Sequence, residues 1–272
     1  MLKFFGASNI KLFVEKVLDD MNEDLCGKSI LDVPAGSGYT SAILKKYGAH
    51  VYAYDLFPEF FNLEGLECKK IDLSYKLPID DNSMDMIICQ EGIEHLPNPL
   101  LLFQEFNRVL KKDGTLILTT PNISHLRAKI SYLLSESDFY KRMPPNELDA
   151  VWHSSDNRVY FGHIFLIGIQ KIRVLSSITG FKIKKIHNVK ASVGSLFFSF
   201  LYPILIFSNI YAYLKNTFKN DDILLSDKKR VYGEIVRLNL HPSVLFGKHL
   251  LLELKKTDSN ELTSRKSQEG II

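Results

Sequence analysis

The sequence predicts an α/β fold, a doubly wound and mostly parallel sheet carrying an apolar helical insertion. Three observations support it. Short apolar strands alternate with helical segments across residues 29–120. The glycine-rich turn Gly36-Ser37-Gly38 joins the first strand to the helix after it. The apolar run at residues 84–89 (MDMIIC) suits a strand buried on both faces, as parallel sheets require.

In chain order, residues 9–21 form an amphipathic helix with Ile10, Phe13, Val17 and Leu18 near helical spacing. Residues 29–34 (SILDVP) are a strand ending in the glycine-rich turn. Residues 40–47 are a helix stopped by Gly48. Strands follow at 50–55, 69–73 and 84–89. A helix over 100–111 places Leu100, Phe103, Phe106 and Leu110 on one side, and 115–120 (TLILTT) is the next strand. Such alternation implies right-handed βαβ crossovers. Beyond Pro121, residues 124–134 read as a helix and 135–161 as an irregular cap. A helix at 167–179 ends at Gly180, a strand spans 181–189, and residues 249–255 (HLLLELK) form the last strand. Residues 258–272 are polar and expected to be disordered.

Composition bounds the function. Of 272 residues, 46% are hydrophobic and 24% charged, which is ordinary for a globular chain. Lys+Arg 34 against Asp+Glu 31 leaves +3, too little for a dedicated nucleic-acid binder. Cys26, Cys68 and Cys89 are isolated, which suits a reducing cytoplasm better than a disulfide framework or a zinc cluster. The first residues lack the apolar core of a secretory signal.

The chemistry concentrates after the first strand, in Leu31-Asp32-Val33-Pro34-Ala35-Gly36-Ser37-Gly38-Tyr39-Thr40-Ser41. Glycines let backbone approach a ligand, and the helix start offers unpaired N–H groups. Asp55 ends the next strand, where a carboxylate can accept both hydroxyls of a ribose. A nicotinamide site shares these features. It has no requirement for an acid at Asp32, however, and Ser41 stands where its third glycine belongs.

With these residues in place, the chain resembles the class I S-adenosylmethionine-dependent methyltransferases. The resemblance rests on LDVPAGSGYTS, YDLFPE, IDLSYKLPIDDNSMDMIIC, QEGIEHLPNP and LLLFQEFNRVLKKDGTLILTTPN, in order over residues 29–122. Pro34-Ala35 departs from the glycine and small residue common in relatives, and proline offers no N–H to a ligand. The resemblance implies a Rossmann-like, seven-stranded sheet with an antiparallel last strand, and S-adenosyl-L-methionine as cofactor. It also implies roles. Asp32, Ala35, Gly36, Ser37 and Gly38 would line the methionine and ribose end. Asp55 would hold the ribose hydroxyls, with Leu56 beside the adenine. Asp72 would face the adenine amino group with Leu73 next to it, unless Asp72 only caps the turn before Lys76. Gln90 and Glu91 would line the pocket near the methionine part.

Methyl transfer to oxygen or nitrogen needs a proton removed, so a general base is expected. His95, in the EHL turn, and His163, in GHIF, are the leading candidates, with His125 and His153 behind them. No metal-ligand spacing is visible. Residues 191–214 hold no charge between Lys190 and Lys215 and would be long enough to cross a bilayer, which takes roughly 20 residues. A single crossing would strand the last strand on the wrong side. The stretch is therefore expected to be a membrane-surface element rich in aromatic residues, a cap over the pocket or a dimer contact, with a true span as the remaining alternative. The organisation expected is a methyltransferase domain over residues 1–190 and 244–256, the insertion over 191–243 and the polar tail over 257–272. The function expected is O-methylation of a lipid, a lipid-linked glycan or a quinone-like small molecule, in the cytoplasm at the inner face of the membrane. The alternatives are an NAD(P)-dependent oxidoreductase and a catalytically silent membrane-docking protein of the same fold.

Overall fold

The computed structural model describes residues 9–139, 141–153 and 158–257. The polar tail at 258–272 and the first eight residues lie outside them. Helices α1 (Asn9–Asp20) and α2 (Asn22–Leu25) precede strand β1 (Ser29–Asp32). Then come α3 (Tyr39–Lys46), β2 (His50–Asp55), β3 (Cys68–Lys70), β4 (Met84–Gln90), α4 (Pro99–Val109), β5 (Leu110–Pro121) and α5 (Leu126–Ser135). A hairpin of β6 (Val151–His153) and β7 (Val159–Phe161) leads to α6 (Ile169–Ile178) and β8 (Phe181–Ile186). Helices α7 (Val193–Phe197), α8 (Tyr202–Thr217), α9 (Leu225–Asn239) and α10 (Pro242–Phe246) fill the insertion, and β9 (His249–Lys256) closes the chain.

Seven strands form one sheet in the order β3-β2-β1-β4-β5-β9-β8. Strand β9 slots between β5 and β8 and is antiparallel to both. The pairings β1–β2, β1–β4, β2–β3 and β4–β5 are parallel. The expected Rossmann-like sheet is therefore present.

Alternation along each strand builds two cores, because successive side chains point to opposite faces. Leu31, Ile87, Cys89, Leu116, Leu118, Leu250, Leu252 and Leu254 pack with Phe103 and Phe106 of α4 on one face. Ile30, Met86, Ile88, Ile117 and Leu251 pack with Ile10, Val14 and Leu18 of α1 and Leu44 of α3 on the other. Helix α4 starts at Pro99, whose missing N–H costs nothing in a first turn, and the Asn98 side chain accepts from Leu101 N–H at 3.3 Å.

Among the departures from expectation, two boundaries have a local reason and one segment gains structure. Strand β3 stops at Lys70, because Asp72 Oδ1 accepts the Ser74 N–H and turns the chain out of the sheet. Helix α4 stops at Val109, because Leu110 is extended and pairs with Met84. The segment expected to be an irregular cap contains the β6–β7 hairpin, with Trp152 paired opposite Tyr160.

Candidate active site

All parallel strands point their C-terminal ends at one edge of the sheet, so the side chains there converge although they are distant in sequence. Asp32 ends β1 and is fully buried. Its Oδ2 accepts from Ser41 Oγ at 2.6 Å, while its Oδ1 is buried without a protein partner. The turn after it runs through Gly36 at φ +54° and Gly38 at φ +86°. A Cβ on Gly38 would lie 2.9 Å from the Phe61 ring and 3.0 Å from Leu63 Cβ, so this position excludes a side chain twice over. Ala35 N–H donates to the Tyr54 carbonyl at 2.9 Å, and Ser37 offers its carbonyl to Asn62 N–H at 3.2 Å.

Asp55 pins this turn from the end of β2. Its Oδ2 accepts from Gly36 N–H at 2.8 Å and its Oδ1 from Phe57 N–H at 2.9 Å. Each carboxylate oxygen keeps lone pairs for a ligand. The sequence reading gave Asp55 a ligand role only; the structure adds a loop-holding one. Leu56, Asp72 and Leu73 share with Asp55 the wall of a cleft of about 450 Å³. Asp72 Oδ1 caps the turn at Ser74, and the residue also lines the cleft, which keeps the ligand reading open.

Glu91 lines the same cleft, in a left-handed conformation at φ +50° that turns the chain sharply off β4. Burial, with the nearby Glu94 charge adding to it, raises its pKa to about 8 against the pull of Thr119 Oγ1, which donates to Oε1 at 2.9 Å. Gln90 sits beside the cleft rather than on its wall. Its Nε2 donates to Thr40 Oγ1 at 2.6 Å, and its Oε1 is buried without a partner. Asp32 and residues 35–38 also stand beside the cleft wall, which Val33 and Pro34 reach instead.

The base candidates separate. His95 lines the cleft, and its ring lies 5.1 Å from that of His163 at 68°. Burial lowers the pKa of His163, with the neighbouring His95 adding to the effect. His125 is a helix cap instead. Its Nδ1 accepts from Ala128 N–H at 2.9 Å, and burial pushes its pKa down to about 4, so it stays neutral. His153 lies on the hairpin, exposed.

Several residues that shape the site escaped the sequence reading. Lys11 of α1 places its Nζ 3.9 Å from where a Gly36 Cβ would sit, over the glycine turn. Phe57, Trp152 and Tyr160 roof the cleft, with the Phe57 and Tyr160 rings 5.4 Å apart edge to face. Glu94 is fully buried, and burial raises its pKa to about 7 against the Thr120 Oγ1 hydrogen bond at 3.0 Å. No residue of the 191–243 insertion lines this cleft.

Residues 31–118 match the family model described as a methyltransferase domain. Over these residues the chain is similar to methyltransferase domains. Two curated relatives agree with it. The ubiquinone biosynthesis O-methyltransferase of Xanthomonas oryzae pv. oryzae is 36% identical over 109 residues, covering 36% of this chain and 45% of that protein. Its namesake from Xylella fastidiosa is 35% identical over 108 residues, covering 36% and 44%. The chain thus spans less than half the length of the curated relatives it matches. A solved S-adenosylmethionine-dependent methyltransferase from Archaeoglobus fulgidus superposes with a TM-score of 0.53 at 15% identity, over 92% of this chain and 95% of that one. Another from Mesorhizobium loti gives 0.50 at 12%, over 92% and 100%. At such identities these two show the shared fold, which extends through the antiparallel β9 that the family match leaves out.

Proposed function

We propose that this chain transfers a methyl group from S-adenosyl-L-methionine to an oxygen of a quinone-like or other lipid-borne small molecule. The observation that carries the reading is Asp55, a buried carboxylate that organises the glycine turn and lines the same cleft as Asp72. The residues fit the cofactor. Asp32 Oδ1 and Gln90 Oε1 are orphaned acceptors at the end where an ammonium group would lie. Asp55 suits two ribose hydroxyls, and the second oxygen of Asp72 suits an adenine amino group. The cofactor supplies a methyl group activated on a sulfonium. The protein orients it, excludes water with the aromatic roof, and so spends binding energy on positioning, worth up to roughly 7–11 kcal/mol. The nicotinamide reading is disfavoured by Ser41, which is buried and hydrogen-bonded to an acid where that fingerprint has a glycine. Calorimetry tests this directly. S-adenosylhomocysteine should bind and NADH should not, and labelled methyl should then pass to a hydroxylated polyprenyl quinol. Binding of NADH with none of S-adenosylhomocysteine would overturn the reading.

The acceptor class draws support from the aromatic roof, which suits a flat ring, and from the names of the curated relatives. It also draws support from the insertion. The helical run Val193–Thr217 is 25 residues, long and apolar enough to cross a membrane, and only 6% of its most apolar window is buried. Ile204, Phe207, Tyr211, Leu214 and Phe218 are exposed at helical spacing along one stripe. The other side of α8 is tied to α9, where Asn239 Nδ2 donates to Asn209 Oδ1 at 2.8 Å and Tyr202 OH reaches the Leu240 carbonyl at 3.4 Å. A crossing α8 would drag the charges of α9 (Asp227, Lys228, Lys229, Arg230, Glu234, Arg237) into hydrocarbon, which is costly. An in-plane hairpin at the cytoplasmic membrane face avoids that cost. The protein should float with anionic liposomes, and the double variant Phe197→Ser, Phe207→Ser should partition at least about tenfold less, since each exposed ring is worth roughly 1.5–3 kcal/mol when buried. Equal flotation of the two proteins would sink the membrane contact. Loss of a homodimer in the variant, without any flotation of the parent, would assign the stripe to a subunit contact.

A further inference from the structure

We propose that the cavity between α6, β8 and α9 binds a phosphate group, at a site separate from the methyl-transfer cleft. Arg173, Lys182, Lys229, Arg230 and Arg237 line a space of about 590 Å³, and Glu234 is the single carboxylate in its wall. None of its lining residues reaches the cleft that Asp55 and Asp72 share.

The fold gathers these charges from three elements. Arg173 comes from α6, Lys182 from the edge strand β8, and the other three from α9. Along α9, Lys229, Gly233 and Arg237 recur every four residues and so share one face. Glu234 holds two guanidinium groups loosely, with Arg173 Nη1 at 3.6 Å and Arg237 Nη2 at 3.9 Å. Asp227 takes Arg230 Nη2 at 3.1 Å. With both carboxylates counted, the cavity still keeps an excess of cations. Like charges crowded into a concave space repel one another, and a wall of low dielectric focuses their field on an anion that enters. Buried Phe181 and Ile183 supply that wall.

Two further features mark the space as built for an occupant. Ser176 lines the cavity at 1% exposure, and its Oγ is buried with no hydrogen-bond partner among the described residues. An unpaired buried hydroxyl costs free energy, and a phosphate oxygen accepting from it would remove that cost. Gly233 stands in the middle of α9, where glycine is a poorer helix former than alanine. A Cβ there would meet nothing within 4 Å, so close packing does not require the glycine. Its missing side chain keeps the cavity open instead.

Guanidinium forks match the paired oxygens of a phosphate, and an ion of two or more negative charges fits the cationic excess better than a single carboxylate does. A soluble phosphate ester and the phosphomonoester of an anionic lipid offer the same chemistry. Helix α8, tied to α9 through Asn209 and Asn239, carries the exposed apolar stripe that would bring such a lipid near.

The test is calorimetry of pyrophosphate on the full-length protein without added divalent metal, beside flotation with phosphatidylcholine vesicles that contain or lack phosphatidic acid. The double variant Lys182→Ala, Lys229→Ala removes two exposed cations and should weaken binding at least about tenfold. Gly233→Leu leaves every charge in place, fills the cavity, and should weaken binding as much while its melting temperature holds or rises. Ser176→Ala, also neutral in charge, should weaken binding to a smaller degree. Pyrophosphate binding with no preference for phosphatidic acid identifies a soluble phosphate as the occupant. A preference for phosphatidic acid without pyrophosphate binding identifies a lipid headgroup. Either result, lost in both the double variant and Gly233→Leu, supports the site. Neither response, or one that either of these variants leaves unchanged, overturns it.

Discussion

Asp55→Ala should abolish measurable S-adenosylhomocysteine binding. Two ribose hydroxyls donating to one carboxylate are worth about 1.5–3 kcal/mol each, so the loss is about 3–6 kcal/mol, or roughly 10²–10⁴-fold in affinity. The same substitution frees Gly36 N–H and Phe57 N–H, which Asp55 accepts at 2.8 and 2.9 Å. The glycine turn then loses its anchor to β2, and the melting temperature should fall by several degrees, since about 1 kcal/mol shifts a domain of this size by roughly 2–4 °C. Asp55→Asn keeps one acceptor oxygen and should fall between the two in both readouts. Calorimetry and a thermal melt on the same samples check this. Affinity unchanged in the alanine variant would remove Asp55 from the cofactor site.

Asp32→Asn is expected to act in opposite directions on stability and binding. Burial raises the Asp32 pKa from 3.8 to about 7, against the lowering effects of the Ser41 hydrogen bond and the Lys11 charge. The unfolded carboxyl ionises near 3.8, so the stability that its neutral form contributes is complete below that pH. It is lost as pH rises through about 7. Three units at 1.36 kcal/mol each make the effect on the order of 4 kcal/mol. Asparagine cannot ionise. The unliganded variant should therefore be more stable than its parent at pH 8, with the gap closing toward pH 4. Binding reverses the order. An ammonium group beside the carboxylate favours its ionised form, so the parent's affinity for S-adenosylhomocysteine should rise through pH 7, with proton release detectable in buffers of different ionisation enthalpy. The variant should bind at least about tenfold more weakly at pH 8, with a flat profile through pH 7. A variant less stable than its parent at pH 8, or one that keeps the pH dependence, would show that Asp32 does not carry this charge.

Both residues were legible because the relevant chemistry is local. A strand, a glycine turn and a helix start follow one another in sequence, and the acid at the end of the next strand lies one crossover away. The two-face alternation of 249–255 likewise showed a strand before any partner was known. The boundaries that slipped did so where a side chain competes with the sheet, as Asp72 does at the end of β3. Gln90 was placed correctly at a strand end, but its amide turns to Thr40 rather than onto the cleft wall.

Other features depended on contacts that no spacing encodes. The irregular cap proved to hold a hairpin whose Trp152 and Tyr160 roof the cleft. His125, chosen for its chemistry, caps α5. The meeting of His95 with His163 crosses a gap of nearly seventy residues. The apolar insertion was visible as composition, yet which stripe of α8 is exposed was settled by α9 covering the other. By itself, the sequence determined the sheet, the glycine turn and the acids at the strand ends, because parallel strands bring neighbouring loops to one edge. Tertiary structure alone decided what covers that edge, which buried acceptors stay unpaired and which histidines meet. Those outcomes depend on how distant segments pack, and that packing is governed by the whole core rather than by local propensity.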